Sequence, residues 1–356
     1  MKRNFWKKKK VLITGHSGFT GTWVTSLLLL LKCNIVGISL KPNPKLKIDK
    51  NNFVKKGLKN YYFDIRDEIK LKKVVIKENP DIVIHLAAQS LIEKGISFPS
   101  KTFTTNINGT INLLNSLRSC KKLRSIMIFT TDKVYRNLEK KNMFKENDPL
   151  GGDDPYSSSK ASKELIANSF SKTYFSKKKV GLITIRSGNI IGGGDWGENR
   201  LIPDLIRFNF ENKKTSIRSL NSVRPWHHIL DVLNSIITSV ERLYQNYKLT
   251  WAYNISPRKQ SISVKELIKE SKLKYKKNTK KIKRFEEKKY LFLSTDKFSK
   301  IFKIKKKVKF KDSIKLTINW YKRYYKKEKV NSIINDDLKN YFNIWERKMI
   351  DILNEK

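Results

Sequence analysis

Five short apolar runs separated by helical periodicity constrain this chain more tightly than any other feature. KVLITG (10–15), NIVGISL (34–40), DIVIHLAA (81–88), SIMIFTT (125–131) and GLITIRSG (181–188) carry apolar residues with little polar alternation, the pattern of strands buried on both faces. Between them, helices are predicted at about 19–32, 67–78, 102–119 and 156–175. Strands that alternate with helices build a parallel sheet covered on both sides, so the expected fold class is α/β with a doubly wound parallel sheet. Beyond residue 188 the regularity gives way to the Gly-rich stretch NIIGGGDWGENRLIPD, mixed segments and a helical tail. We expect a dinucleotide-binding unit over 1–188 and a smaller substrate-binding lobe over 189–356. The two interleave, because WAYNIS (251–256) predicts a strand that returns to the main sheet.

The first strand runs directly into TGHSGFTG, where Gly15, Gly18 and Gly21 recur every third residue. Glycines at this spacing let the backbone turn tightly and approach a pyrophosphate, whose charge then sits at the N-terminus of the helix that begins near Phe19. Three glycines alone say little; the strand before and the helix after them make the turn a dinucleotide site. At the end of the second strand, where an acid often holds the ribose of NAD, this chain has Ser39-Leu40-Lys41. Ser39 suits a ribose hydroxyl and Lys41 a 2′-phosphate, so the position leaves NAD and NADP both open.

The 356 residues include 77 Lys and Arg against 32 Asp and Glu, a formal net charge of +45. Such a charge invites a nucleic-acid reading. Only 15 of the 77 are Arg, however, and the runs WKKKK, SKKKV, YKKNTKKIKR and KIKKKVK lie far apart, so we read a lysine-rich background and expect no specific nucleic acid partner. Cys33 and Cys120 form no disulfide framework, and neither they nor the four His show metal-ligand spacing, so no metal is expected and a reducing, cytoplasmic compartment fits. VLIT behind the basic start is too short for a secretory signal and LLLLL (27–31) too short to span a bilayer, so no membrane insertion is expected.

PYSSSK (155–160) puts Tyr156 and Lys160 on one helical face. An ammonium beside a phenol lowers its pKa from ~10 toward working pH. A Tyr so tuned removes a proton from an alcohol while a nicotinamide takes the hydride. By itself Y-x-x-x-K is an ordinary surface pair; here the Gly-rich turn and Thr131, at the end of the intervening strand, accompany it. FTTDKVY (129–135) then sets Asp132 and Lys133 side by side at that strand's mouth, where charges are costly unless something uses or wets them.

These stretches, with HLAAQSLI, GGDDPYSSSKASKE, RSGNIIGGGDWGENRLIPDLIR and RPWHHILDV, resemble the extended short-chain dehydrogenase/reductase family over nearly the whole chain. Within it the resemblance is to the nucleotide-sugar 4,6-dehydratases of the CDP-glucose type. dTDP-glucose relatives usually continue Asp-Glu after the hydroxyl residue, whereas the CDP-glucose type continues Asp-Lys, as residues 132–133 do. The resemblance implies a Rossmann-like fold, bound NAD, CDP-glucose as substrate and a homo-oligomer, dimer or tetramer.

The implied reaction is an internal redox elimination, a hydro-lyase step. Tyr156, supported by Lys160 and Thr131, takes the proton of the sugar's 4-hydroxyl as hydride leaves C4. The new ketone acidifies C5, water departs from C5 and C6 with protonated Asp132 as acid, and the hydride returns to C6. Lys133 stands where dTDP-type relatives carry a basic Glu, and it is either a base of lowered pKa or a charge facing the enolate oxygen. A plain Lys133–Asp132 ion pair is disfavoured here, since it would hold Asp132 ionised.

Further contacts carry over with Asp64 and Ile65 at the adenine, Ala87, Ala88 and Gln89 along the dinucleotide, and Asn106 on the active-site helix. Asn189 and Arg224 are expected at the substrate diphosphate, with Arg200 a weaker contact. Trp196 packs on the sugar nucleotide or anchors its own loop. Structural roles are expected for His16, His85, His227 and His228. A 4-epimerase of the same family would need no elimination acid, and Thr131-Asp132-Lys133 argues against it. A basic nucleic-acid-binding protein on a Rossmann fold would not need Tyr156, Lys160 and Thr131 intact.

Overall fold

The structure, a computed structural model, describes residues 3–42, 57–139, 142–213, 217, 219–249, 251–257, 262–276, 288, 290–304 and 306–344. Most of the YKKNTKKIKR run lies outside the described residues. Seven parallel strands make one sheet: β1 Lys10–Thr14, β2 Asn34–Ser39, β3 Leu58–Tyr62, β4 Ile82–His85, β5 Ser125–Thr131, β6 Gly181–Ser187 and β7 Ala252–Ile255. Their order across the sheet is β7-β6-β5-β4-β1-β2-β3. The chain enters mid-sheet, winds outward to β3, and crosses back over β1 to build the other half. The strand order therefore reverses between β1 and β4, the crevice where open α/β sheets bind their ligands.

Alternation along each strand sorts the core into two layers. Val11 and Ile13, Ile82 and Ile84, Met127, and Ile183 and Ile185 pack on one face, and Leu12, Val83, Ile126, Ile128 and Leu182 on the other. Burial on both sides is why these runs lack polar alternation. β3 was not expected from sequence. Its LKNYY is only partly buried at the sheet edge, so it carries no apolar run to reveal it.

Helix α1 (Phe19–Leu30) follows the Gly-rich turn. α2 (Glu68–Glu78) starts where the Asp67 carboxylate accepts the Lys70 N–H. The predicted helix over 102–119 is divided into a short helix Pro99–Phe103, a π-turn Thr104–Asn108 and α3 (Gly109–Leu117). α4 (Pro155–Phe170) is capped by Asp154, which accepts the N–H groups of Tyr156 at 2.9 Å and Ser157 at 3.1 Å, with Pro155 at the first helical position. That cap fixes where Tyr156 enters the helix.

Beyond residue 188 the chain contributes α5 (Leu201–Glu211), α6 (Ile229–Gln245), α7 (Phe310–Tyr325) and α8 (Val330–Phe342). Asp231 on α6 accepts from the backbone of Lys307 and Val308 and from the Tyr341 hydroxyl, tying the C-terminal segment down. β7 lies beside β6, and Phe292–Leu293 pairs with Met143–Phe144, so chain from each side of residue 188 completes structure on the other. Among the described residues, no helix is long and apolar enough to cross a membrane.

Candidate active site

A cavity of about 1260 Å³ lies at the carboxyl ends of the strands and takes in Gly15, Gly18, Phe19, Gly21, Thr131, Lys133, Tyr156 and Lys160. Two of the glycines are sterically required. Gly15 has φ +75°, and a Cβ there would meet the Ala87 backbone N at 2.7 Å. A Cβ on Gly21 would lie 2.1 Å from the Gly15 carbonyl oxygen. The turn thus leaves bare backbone at the start of α1, a cradle that fits a pyrophosphate.

Thr131 ends β5, and the next residues form a short 3₁₀ turn, Asp132–Val134. The Thr131 hydroxyl donates to Asp132 Oδ1 at 2.9 Å, and Lys133 Nζ reaches the same oxygen at 3.0 Å. Asp132 is wholly buried whereas Lys133 keeps a fifth of its side chain exposed. Lys133 lines the cavity; Asp132 does not. The ion pair disfavoured from sequence is therefore present, and the acid expected at the departing hydroxyl sits behind its neighbour. Burying a lone carboxylate is costly enough that the adjacent ammonium becomes its counter-ion. Its other oxygen, Oδ2, is buried without a hydrogen-bond partner among the described residues.

Tyr156 and Lys160 do share a face of α4, with Lys160 Nζ 5.9 Å from the Tyr156 ring centroid. Burial pushes the Tyr156 phenol above its ordinary pKa, and Lys133 is the largest opposing influence, followed by a hydrogen bond with Thr131. The cation acting most strongly on the phenol is therefore Lys133, not the Lys160 of the helical motif. Burial lowers Lys160 itself to about 8, against the pull of Glu164 one turn further on.

Asp64, Ile65, Ala87, Ala88 and Gln89 all border the cavity, as do Asn189, Arg200 and Arg224. Asp64 already pairs with Arg66 at 2.8 Å, and the Gln89 side chain closes its own loop through Leu91 and Thr102. Asn106 is not among the residues that border the cavity. It is fully buried on the π-turn, where its amide accepts from Gln89 N–H and donates to Gln89 O and Ser159 Oγ, so it holds the cofactor loop from behind. Trp196 is likewise an anchor, its ring 5.3 Å from that of Tyr321 and 4.9 Å from that of Tyr324, although the residue borders the cavity. Arg200 is held by both oxygens of Asp195, at 3.0 and 3.1 Å, and by Ser90. Ser39 contacts Ser17 at 2.8 Å beside the Leu40 carbonyl, while His16 reaches Asn60 and His85 bridges Thr14 and Thr110.

Residues 12–332 match the family model described as GDP-mannose 4,6 dehydratase. The chain belongs to that family. Among curated members of this GDP-mannose 4,6 dehydratase group and its kin, it is 36% identical over 272 residues to the CDP-glucose 4,6-dehydratase of Salmonella typhimurium, covering 75% of this chain and 76% of that one. In three dimensions it is similar to a UDP-glucose-4-epimerase from Stenotrophomonas maltophila, with TM-score 0.78 and 17% identity over 90% of this chain and 100% of the other. It is also similar to the dTDP-glucose 4,6-dehydratase from Bacillus anthracis solved with NAD, with TM-score 0.71 and 23% identity over 88% and 97% of the two chains. Both likenesses bear on the fold, which is the doubly wound sheet expected from sequence.

Two functional neighbours escaped the sequence reading. Glu164 and Arg186 form an ion pair at 2.9 Å, both side chains wholly buried behind the site. Their signals were present: a carboxylate one turn beyond Lys160, and a charge near the end of an otherwise apolar strand.

Proposed function

We propose that this protein removes water from CDP-glucose by an NAD-dependent internal redox elimination, giving the 4-keto-6-deoxy sugar nucleotide. The observation that carries this reading is the convergence of Thr131, Lys133, Tyr156 and Lys160 on a cavity that also opens onto the bare glycine turn. The 36% identity to a CDP-glucose 4,6-dehydratase supports the choice of nucleobase.

Gly15, Gly18 and the start of α1 would hold the dinucleotide, with Ala87 and Ala88 allowing close approach. NAD, when bound, supplies the acceptor that takes hydride from C4 and returns it at C6. Tyr156, as the phenolate that Lys133 and Thr131 favour against burial, receives the proton of the 4-hydroxyl. Lys160, buried beside them, is placed to orient the reacting end of the cofactor. Lys133, which reaches the cavity, exchanges protons with C5 and the departing 6-hydroxyl, and Asp132 behind it is its proton partner. Asn189, Arg200 and Arg224 would meet the diphosphate, Arg200 with its charge partly committed to Asp195.

Incubation of the full chain with CDP-glucose and NAD+, followed by mass spectrometry, tests the reading. Loss of one water without net accumulation of reduced nicotinamide is expected. Stoichiometric reduction without loss of water would show a simple dehydrogenase instead.

A further inference from the structure

Two segments that flank β5 reach each other across its carboxyl end. β5 lies between β4 and β6 in the sheet. Ser90, Glu93 and Lys94 follow β4, whereas Glu198, Asn199 and Arg200 follow β6, and all six border the cavity. Arg200 Nη2 donates to Ser90 Oγ at 3.0 Å, the Asn199 amide donates to the Glu93 carboxylate, and Lys94 pairs with Glu198 at 3.6 Å. Residue numbers rise on one side as they fall on the other, so the three contacts form an antiparallel zipper that bridges the strand ending in Thr131. The short helix Ile92–Ser97 packs directly on Tyr156: a Cβ on Gly95 would lie 3.2 Å from the Tyr156 backbone N.

Each lip of the zipper is braced within its own segment. Gln89 ties the first through Leu91 and Thr102, and Arg207 holds the second by donating to the carbonyls of Trp196 and Gly197, at 3.3 and 2.9 Å. Across the gap the contacts are of another kind. The Lys94 and Glu198 side chains are 55% and 72% exposed, and an ion pair so wet contributes little. Braced lips joined by weak polar contacts make a seam that parts without unfolding either side. We propose that this zipper is the gate of the active-site cavity, parting to admit the sugar nucleotide and closing over it until product has formed. The gate rests on the proposed dehydration, whose chemistry gives closure its use. Between loss of water and return of hydride the sugar carries a reactive double bond, and early release would strand the reduced cofactor.

Locking the zipper shut tests the gate. Glu93→Cys and Asn199→Cys are combined in the full chain and joined by a short bis-methanethiosulfonate linker that reductant cleaves; Cys33 and Cys120 are both buried. Linked while empty, the protein should neither take up radiolabelled CDP-glucose nor release water from it, and reductant should restore both. Linked after loading with NAD+ and CDP-glucose, it should carry the label through gel filtration and free it on reduction. Either single-cysteine variant treated alike should remain open. A linked protein that exchanges label as fast as the reduced one overturns the gate, and so does a pair of cysteines that the linker cannot join.

Should the double variant not fold, Glu198→Lys sets like charges against Lys94 and should speed release of bound CDP-glucose by up to ~5-fold, with Lys94→Glu added to it restoring the wild-type rate. Release indifferent to both substitutions overturns the gate. Wild type that binds CDP-glucose without losing water removes the proposed dehydration and leaves the gate to be judged on uptake and release. Wild type that does not bind CDP-glucose removes both.

Discussion

Two buried polar clusters lie one residue apart on β5 and are built on opposite terms. Behind the sheet, Thr130 donates to Glu164 at 2.5 Å, Thr184 to the same carboxylate at 2.6 Å and Arg186 at 2.9 Å. Arg186 also reaches the Tyr135 hydroxyl, which in turn donates to Asn254, so β5, β6, β7 and α4 are stitched together. At the cavity, Thr131, Asp132 and Tyr156 are buried as well, yet Asp132 keeps an unpartnered oxygen among the described residues and the phenol is pushed above its ordinary pKa. Equal burial has opposite uses here. A carboxylate whose oxygens are both engaged holds a fold; one left half engaged carries an unmet hydrogen-bonding demand.

The largest effect expected from this contrast is at the cavity. Tyr156→Phe should lower water loss from CDP-glucose by ~10²–10⁴-fold with little change in melting temperature. A Phe variant that retained turnover would erase the distinction between the clusters. Behind the sheet the sign reverses: Glu164→Gln strands the buried Arg186 charge and should cost ~3–5 kcal/mol of stability, read by denaturant unfolding. Removing Glu164 also withdraws the group that raises Lys160, so the titration of that lysine should move further down.

Lys160 itself sharpens the contrast, because burial costs it stability. Its folded pKa of about 8 lies below the unfolded value, so the unfolded state binds more protons between the two, and stability rises as pH climbs through that window. Lys160→Met should abolish most turnover, yet raise neutral-pH stability by up to roughly 3 kcal/mol and flatten the rise of melting temperature between about pH 8 and 10. The smallest effect belongs to Thr184→Val, which removes one of three donors from Glu164 and should cost ~1–3 kcal/mol with turnover preserved. Heavy-water exchange gives an independent check at the cavity: Lys133→Met should lose exchange of the C5 hydrogen.

Local chemistry made much of this legible in advance. A run buried on both faces cannot hide its character, so five strands could be read directly, and Gly15, Tyr156 and Lys160 announce themselves by spacing. β3 could not be read, because an edge strand needs few apolar residues. The roles of Asn106 and Trp196 could not be decided from sequence for a different reason. Amides and indoles serve equally as ligand contacts and as internal braces, and only their neighbours, Gln89 and Ser159 for the one and Tyr321 and Tyr324 for the other, decide which.

By itself the sequence determined the alternation of strand and helix, the glycine cradle and the roster of reactive groups, all of which depend on residues close together in the chain. Tertiary structure alone decided which charge meets which. Lys160 is four residues from Tyr156, yet Lys133, arriving from β5, acts on the phenol more strongly; Asp132 stands next to the cavity in sequence and outside its lining in space. Electrostatic coupling depends on distance and local dielectric, and both are set by how β5 and α4 pack rather than by spacing along either one.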